Sequence, residues 1–177
     1  MADLMNRMIR AAMLDAQLYE EVEADTGAMG QAMLVVILSS VAAGIGHIAK
    51  GGISGLFIGA IFALIGWFIW AYLTFIIGTK LLPEPETKAD LGEMLRTIGF
   101  ASSPGIIRIL GFIPYFGKLF VLVAAIWMLV AMVIAIRQAL DYKDITRAVG
   151  VCVIGWIVYL VISLFLGAIL GIGPKML

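Results

Sequence analysis

Cysteine and histidine are almost missing from this chain: Cys152 and His47 are the single examples in 177 residues. One thiol excludes an intrachain disulfide and a cysteine-based metal cage, and one imidazole excludes a histidine cluster. Charge is sparse as well, at 14% of residues, and the formal net charge of +0 gives no electrostatic case for a nucleic-acid partner. There is no H-E-x-x-H helix. The only Gly-Lys pair, Gly117-Lys118, lacks both the upstream glycine and the following Ser or Thr of a phosphate loop, and no G-x-S-x-G elbow is present. Asp90 with Glu93, and Asp141 with Asp144, have helix-face spacing that capping and solubility already explain. With no acid or base buried in an apolar run, the sequence predicts no catalytic residue, no cofactor and no metal site. The opening 25 residues lack a continuous apolar core and a small-residue cleavage site, so the first span is expected to act as its own insertion signal.

What the chain has in abundance is apolar sequence, 63% of residues, with a mean hydropathy of +1.09. Soluble domains sit nearer half apolar and a quarter charged. Several runs are long enough to cross about 30 Å of hydrocarbon at about 1.5 Å per residue. The predicted fold class is therefore an all-α integral membrane protein, a bundle of five transmembrane helices over residues 29–49, 53–80, 94–112, 119–136 and 149–172. Residues 1–28 form a tail in which Leu4, Met5, Met8, Ile9, Ala12, Met13, Ala16, Tyr19 and Val22 recur at helical spacing. Arg7, Arg10, Gln17 and Glu21 lie opposite them, which predicts an amphipathic helix followed by an acidic connector. Thr87-Lys88-Ala89-Asp90 reads as a capping box opening the third span, and Asp144 as the N-cap of the fifth.

The third span is the interrupted one. Pro104 should kink it, with Ser102 and Ser103 placed to satisfy freed backbone groups. Arg108 follows, about four residues from the end of the span. Two readings stay open for it: a side chain that snorkels to the headgroups, or a functional intramembrane charge, which would need a partner that no span supplies as a carboxylate. His47, at the end of the first span, reads as interfacial.

Small residues recur at every fourth position in Gly51, Gly55, Gly59 and Ala63, and again in Gly167 and Gly171. Such a stripe makes a smooth helix face on which another helix packs closely, in the same chain or in a partner. Topology follows from the cations. With five spans, Arg7, Arg10, Lys80, Lys88, Arg96, Arg137, Lys143 and Arg147 share one side. Only Lys50, Arg108, Lys118 and Lys175 fall on the other. The first side is expected to be cytoplasmic, leaving the C-terminus outside.

Gly99-Phe100-Ala101-Ser102-Ser103-Pro104, then Phe112-Ile113-Pro114 and Gly117, Trp127 in the next span, and Thr146-Arg147-Ala148 after a short polar loop together resemble the Yip domain family of Ypt/Rab-interacting proteins. Its short bacterial members are the nearest in kind, and the likeness runs from about Met29 onward. The resemblance implies a five-helix membrane bundle with a cytoplasmic N-terminus. Eukaryotic relatives bind prenylated Rab GTPases and act in membrane traffic, through tails with Asp-Leu-Tyr-type motifs that this chain does not have.

The expected function is accordingly non-catalytic: a scaffold or accessory subunit, in a prokaryotic cytoplasmic membrane, whose partners are the lipid bilayer and other membrane subunits or further copies of itself. The alternative is a small transporter or lipid-handling protein that uses the kinked third span and Arg108.

Overall fold

The computed structural model describes residues 2–46 and 52–169. Among these residues every regular element is helical. In chain order they are α1 (Ala2–Ala12), α2 (Ala16–Ala24), α3 (Met29–Gly46), α4 (Gly52–Ile76), α5 (Leu91–Ala101), a long 3₁₀ helix (Ser103–Phe112), α6 (Gly117–Ala139) and α7 (Ile145–Ile169). A single 3₁₀ turn leads into α3, and a π-helical segment, Ile77–Leu81, extends α4. Four stretches are long and apolar enough to cross a membrane: Thr26–Ile45, Gly55–Leu81, Gly117–Ala139 and Ile145–Ile162. The protein is an all-helical integral membrane protein.

Two expectations need correcting. The tail is not one amphipathic helix but two, because Leu14 takes a left-handed conformation (φ 63°) that ends α1 and lets Asp15 cap α2 by accepting from the Gln17 N–H. The capping box is real but three residues later than expected. Asp90 accepts from the Glu93 N–H and Glu93 from the Asp90 N–H, whereas Thr87 Oγ1 accepts from Glu84 N and closes the preceding turn. Asp144 does sit directly before α7 and accepts from the Thr146 N–H.

The third segment departs furthest from a plain span. Its α-helix stops at Ala101, and the chain continues through Pro104 as a 3₁₀ helix of 10 residues. Ser102 and Ser103 donate to the Ile98 and Phe100 carbonyls, acceptors that the break leaves without their helical N–H partners. The segment is therefore absent from the four long apolar helices, although its two parts run for about 16 Å and about 20 Å.

Burial divides the molecule into a closed end and a splayed end. At the closed end, α1, α2 and α5 fill the space between α3 and α6. Leu18, Tyr19, Val22, Ala32, Val35, Phe100, Ala131 and Ala135 meet there with no exposure. A second cluster joins the end of α4 and the start of α7 through Ala71, Met94, Ile98, Ile136, Leu140 and Val151. Close approach depends on glycine where α5 crosses α3: a Cβ at Gly99 would stand 2.7 Å from Ala32 Cβ and 3.2 Å from its backbone. At the splayed end the large apolar side chains point outward, among them Phe57, Phe62, Phe116, Leu122, Leu160 and Phe165. All 12 acidic residues lie in α1, α2, the loops or the first turn of α5, at the closed end. A surface that is apolar all round belongs in hydrocarbon, so the splayed end contacts the lipid bilayer.

Candidate functional site

The splayed end holds one buried polar feature, where α3, α6 and the 3₁₀ helix converge. Gly105 makes the convergence possible, since a Cβ there would run into Ser39 Oγ, Met128 Sδ at 2.7 Å and the Arg108 guanidinium at 2.9 Å. Pro104 at the start of the 3₁₀ helix fixes its entry, and Ser103, Pro104 and Gly105 are all buried. The next turn carries Arg108. Its Nε donates to Gly105 O (3.0 Å), while Nη2 donates to Ser39 O (3.0 Å) and Ser39 Oγ (2.7 Å). These acceptors lie on the Gly105 side of its own Cα, so the guanidinium points back along the 3₁₀ helix and across to α3.

All three acceptors are neutral. No ion pair of Arg108 with an Asp or Glu side chain is present among the described residues. The charge is hydrogen-bonded but not neutralised by the described residues. It stands in the shared wall of two adjoining cavities. One, of about 470 Å³, lies between α4, α6 and α7 and is lined by Trp70, Arg108, Leu129 and Trp156. The other, of about 580 Å³, reaches toward α3 past Ser39, Ala63, Trp67 and Ser102. Gly66, Met128 and Met132 border both. The lining is chiefly apolar and aromatic, with Trp70 set edge-on to Trp156 at 6.1 Å between ring centroids. What it offers chemically is a cation with hydrogen-bond donors in an apolar setting.

The sequence-predicted site residues divide between this cavity and the outer surface. Arg108, Ser102, Ala63 and Gly59 line it, with Ser103 and Pro104 packed behind. Gly55 and Gly59 do not pack against a helix of the described chain, because a Cβ at either position meets nothing within 4 Å. The α3–α4 approach uses Gly44 instead, against Leu56. Gly167 lies within α7. Gly51, Gly171 and His47 fall outside the described residues. Ser39 and Trp70 are additions that sequence reasoning missed; a hydroxyl pair, Ser39-Ser40, inside an otherwise apolar run was the available signal for the first.

A second polar centre locks the tail to the closed end. Arg96, 5% exposed, donates Nε to Val22 O (3.0 Å) and Glu23 O (3.1 Å), and Nη2 to Glu23 O. These are last-turn carbonyls of α2, without helical partners and at the negative end of its dipole. Nearby, the Glu23 carboxyl is pushed up to about 8 by burial and by the charges of Glu20, Glu93 and Asp141, against an opposing pull from Arg96. Its Oε2 is buried without a hydrogen-bond partner. Trp127 Nε1 donates to Ala12 O (2.7 Å), which fastens the end of α1 to α6.

The Yip1 domain family model matches residues 16–168, which takes in the tail's second helix, the serine-proline break, the Arg108 cavity and most of α7. The chain belongs to the Yip domain family. No curated protein and no solved structure matches it. In this Yip-family membrane protein the family-like residues have distinct structural duties. Gly99 and Gly105 set the two close helix approaches, Ser102, Ser103 and Pro104 convert α-helix to 3₁₀ helix, and Trp127 holds α1. Gly117 takes the chain through the turn into α6, where a Cβ would collide with the Gly111 carbonyl.

Proposed function

We propose that this Yip-family protein is a non-catalytic interaction module, a scaffold or accessory subunit that docks another transmembrane helix along α4. The observation that carries the reading is the open Gly55/Gly59 stripe. A helix face built for close approach is left without a neighbour, on the span with the smallest buried share of its window, 17% against 33% for the first. The large side chains flanking the stripe, Phe57, Ile58 and Phe62, are exposed and supply the contact area.

The reading includes a topology. Together α5 and the 3₁₀ helix reach about 36 Å, enough for the third segment to traverse about 30 Å of hydrocarbon, which makes five crossings. The closed end, with the tail and most cations, then faces the cytoplasm, and the Ile113–Gly117 turn faces out, in a prokaryotic cytoplasmic membrane.

The double variant Gly55→Leu/Gly59→Leu tests the docking, because neither new side chain meets an atom of its own chain at Cβ. Extracted from its own membranes in mild detergent, the wild type should run as an assembly larger than a monomer. The double variant should run as a monomer with the same melting temperature. A monomeric wild type, or a double variant in an unaltered assembly, contradicts the proposal.

A further inference from the structure

We infer that the Arg108 cavity is a binding site for an amphiphile with an oxyanion head, a carboxylate or a phosphate, whose chain enters from the surrounding lipid. Three observations converge on this chemistry. The first is the uncompensated charge: among the described residues Arg108 is held only by Gly105 O, Ser39 O and Ser39 Oγ, all neutral. A cation in an apolar layer draws an anion, because nothing else there offsets its desolvation. The second is the pattern of free donors. Nε and Nη2 are used on the protein, and Nη1 makes no hydrogen bond to the described residues. That unpaired edge belongs to a residue that lines the cavity, and no acceptor among the described residues answers it, which is the inverse of an oxyanion. The third is the remainder of the lining. Val121, Leu129, Met128, Met132 and Trp156 are apolar, and about 470 Å³ lies within the range of sites that enclose small molecules. An inorganic anion would leave those walls bare. A neutral lipid would leave the donors unpaired.

Ser39 has a defined part in the arrangement. By engaging both Nη2 donors it fixes the guanidinium plane, so the free Nη1 edge is presented rather than mobile. Held rigidly, that edge pays less ordering entropy when it binds. Of the α4 stripe, Gly59 borders the adjoining cavity of about 580 Å³ whereas Gly55 borders neither, so Gly55 is the position that separates docking from binding; Gly66, which borders both cavities, has open space at its Cβ.

The test uses the full chain in detergent micelles, with tryptophan fluorescence as the readout and bromine as a contact quencher. Dibromostearate should quench saturably, and dibrominated phosphatidic acid should distinguish a phosphate head from a carboxylate. The methyl ester of dibromostearate, which has the chain without the charge, should quench weakly and without saturation. Arg108→Gln should weaken the acid by about tenfold or more and leave the ester unchanged, whereas Arg108→Lys should retain part of the affinity. Gly66→Leu fills the cavity with Arg108 intact and should abolish saturation; it covers the case in which Arg108→Gln does not fold. Gly55→Leu should change nothing. Equal quenching by acid and ester, undiminished quenching in Arg108→Gln or Gly66→Leu, or full displacement by sodium acetate at the concentration of the long-chain acid would each overturn the inference.

Discussion

Replacing Arg96 by methionine should release the tail while leaving the bundle folded. The methionine keeps most of the apolar stem and removes the three hydrogen bonds that reach Val22 O and Glu23 O across 73 to 74 residues of chain. Hydrogen bonds from a charged donor are worth about 1.5–3 kcal/mol when deleted, and these converge on only two carbonyls, so the combined loss should be about 3 kcal/mol. Part of that loss is limited because the freed carbonyls sit at a helix end, where water can reach them once α2 lifts. Undocking of α2 opens locally rather than globally, so about 3 kcal/mol raises the opened population by roughly 100-fold. Hydrogen exchange on the purified protein reads this directly. Amides of Leu18–Ala24 should exchange about 100-fold faster, while those of α6 around Ile136 should be unchanged. Arg96→Lys should lie between, since an ammonium supplies the charge but not the fork. Exchange that rises equally in α2 and α6, or that does not rise in α2, refutes the assignment of Arg96 as the latch.

Further expectations follow from the same contacts. Glu23 has its folded pKa raised from 4.5 to about 8, so the docked tail holds a proton that the released tail loses. The associated stability is fully present below about pH 4.5, declines as pH rises and is lost by about pH 8; the protection of the α2 amides, with the intrinsic base-catalysed rise in exchange removed, should fall over that window in the wild type and lose the trend in Glu23→Gln. Gly99→Val drives two methyl groups into the Ala32 backbone and should destabilise by at least about 2 kcal/mol, read as a lowered melting temperature, with Gly55→Val as the unaffected control. Tyr142→Phe removes a buried hydroxyl that serves Gly78 O (3.1 Å) and Leu82 O (2.8 Å) and should cost about 1–1.5 kcal/mol by the same measurement.

The four long helices were legible because length and apolar composition alone mark a span. Leu119 to Ile136, for instance, contains no charge, and α6 covers it with two to three further residues at each end. The third segment was legible as an interruption but not as a change of helix type. Pro104 announces the lost N–H, yet the ten-residue 3₁₀ run depends on Gly105 lying against Ser39, a contact 66 positions distant in sequence that no local pattern carries. The latch made by Arg96 was hidden for a similar reason. As a cation beside a polar loop it counted toward topology, whereas its neighbours in space are the last carbonyls of α2. The tail's break at Leu14 was hidden because leucine is an ordinary helix former, and only its φ of 63° discloses the turn. The family resemblance rested on glycine, serine, proline and tryptophan, and these are the residues at which helices approach, change type or fasten.

A third segment that crosses the apolar layer places the Arg108 cavity between two leaflets and puts the tail and the Tyr115 turn on opposite faces. Single cysteines in a Cys152→Ser background measure it, with Lys88→Cys and Lys143→Cys at the closed end and Tyr115→Cys at the fully exposed tip of the Ile113–Gly117 turn. In intact cells a membrane-impermeant maleimide should label Tyr115→Cys alone, and the other two should react only after permeabilisation. Labelling of Tyr115→Cys from the same side as Lys88→Cys would contradict the crossing.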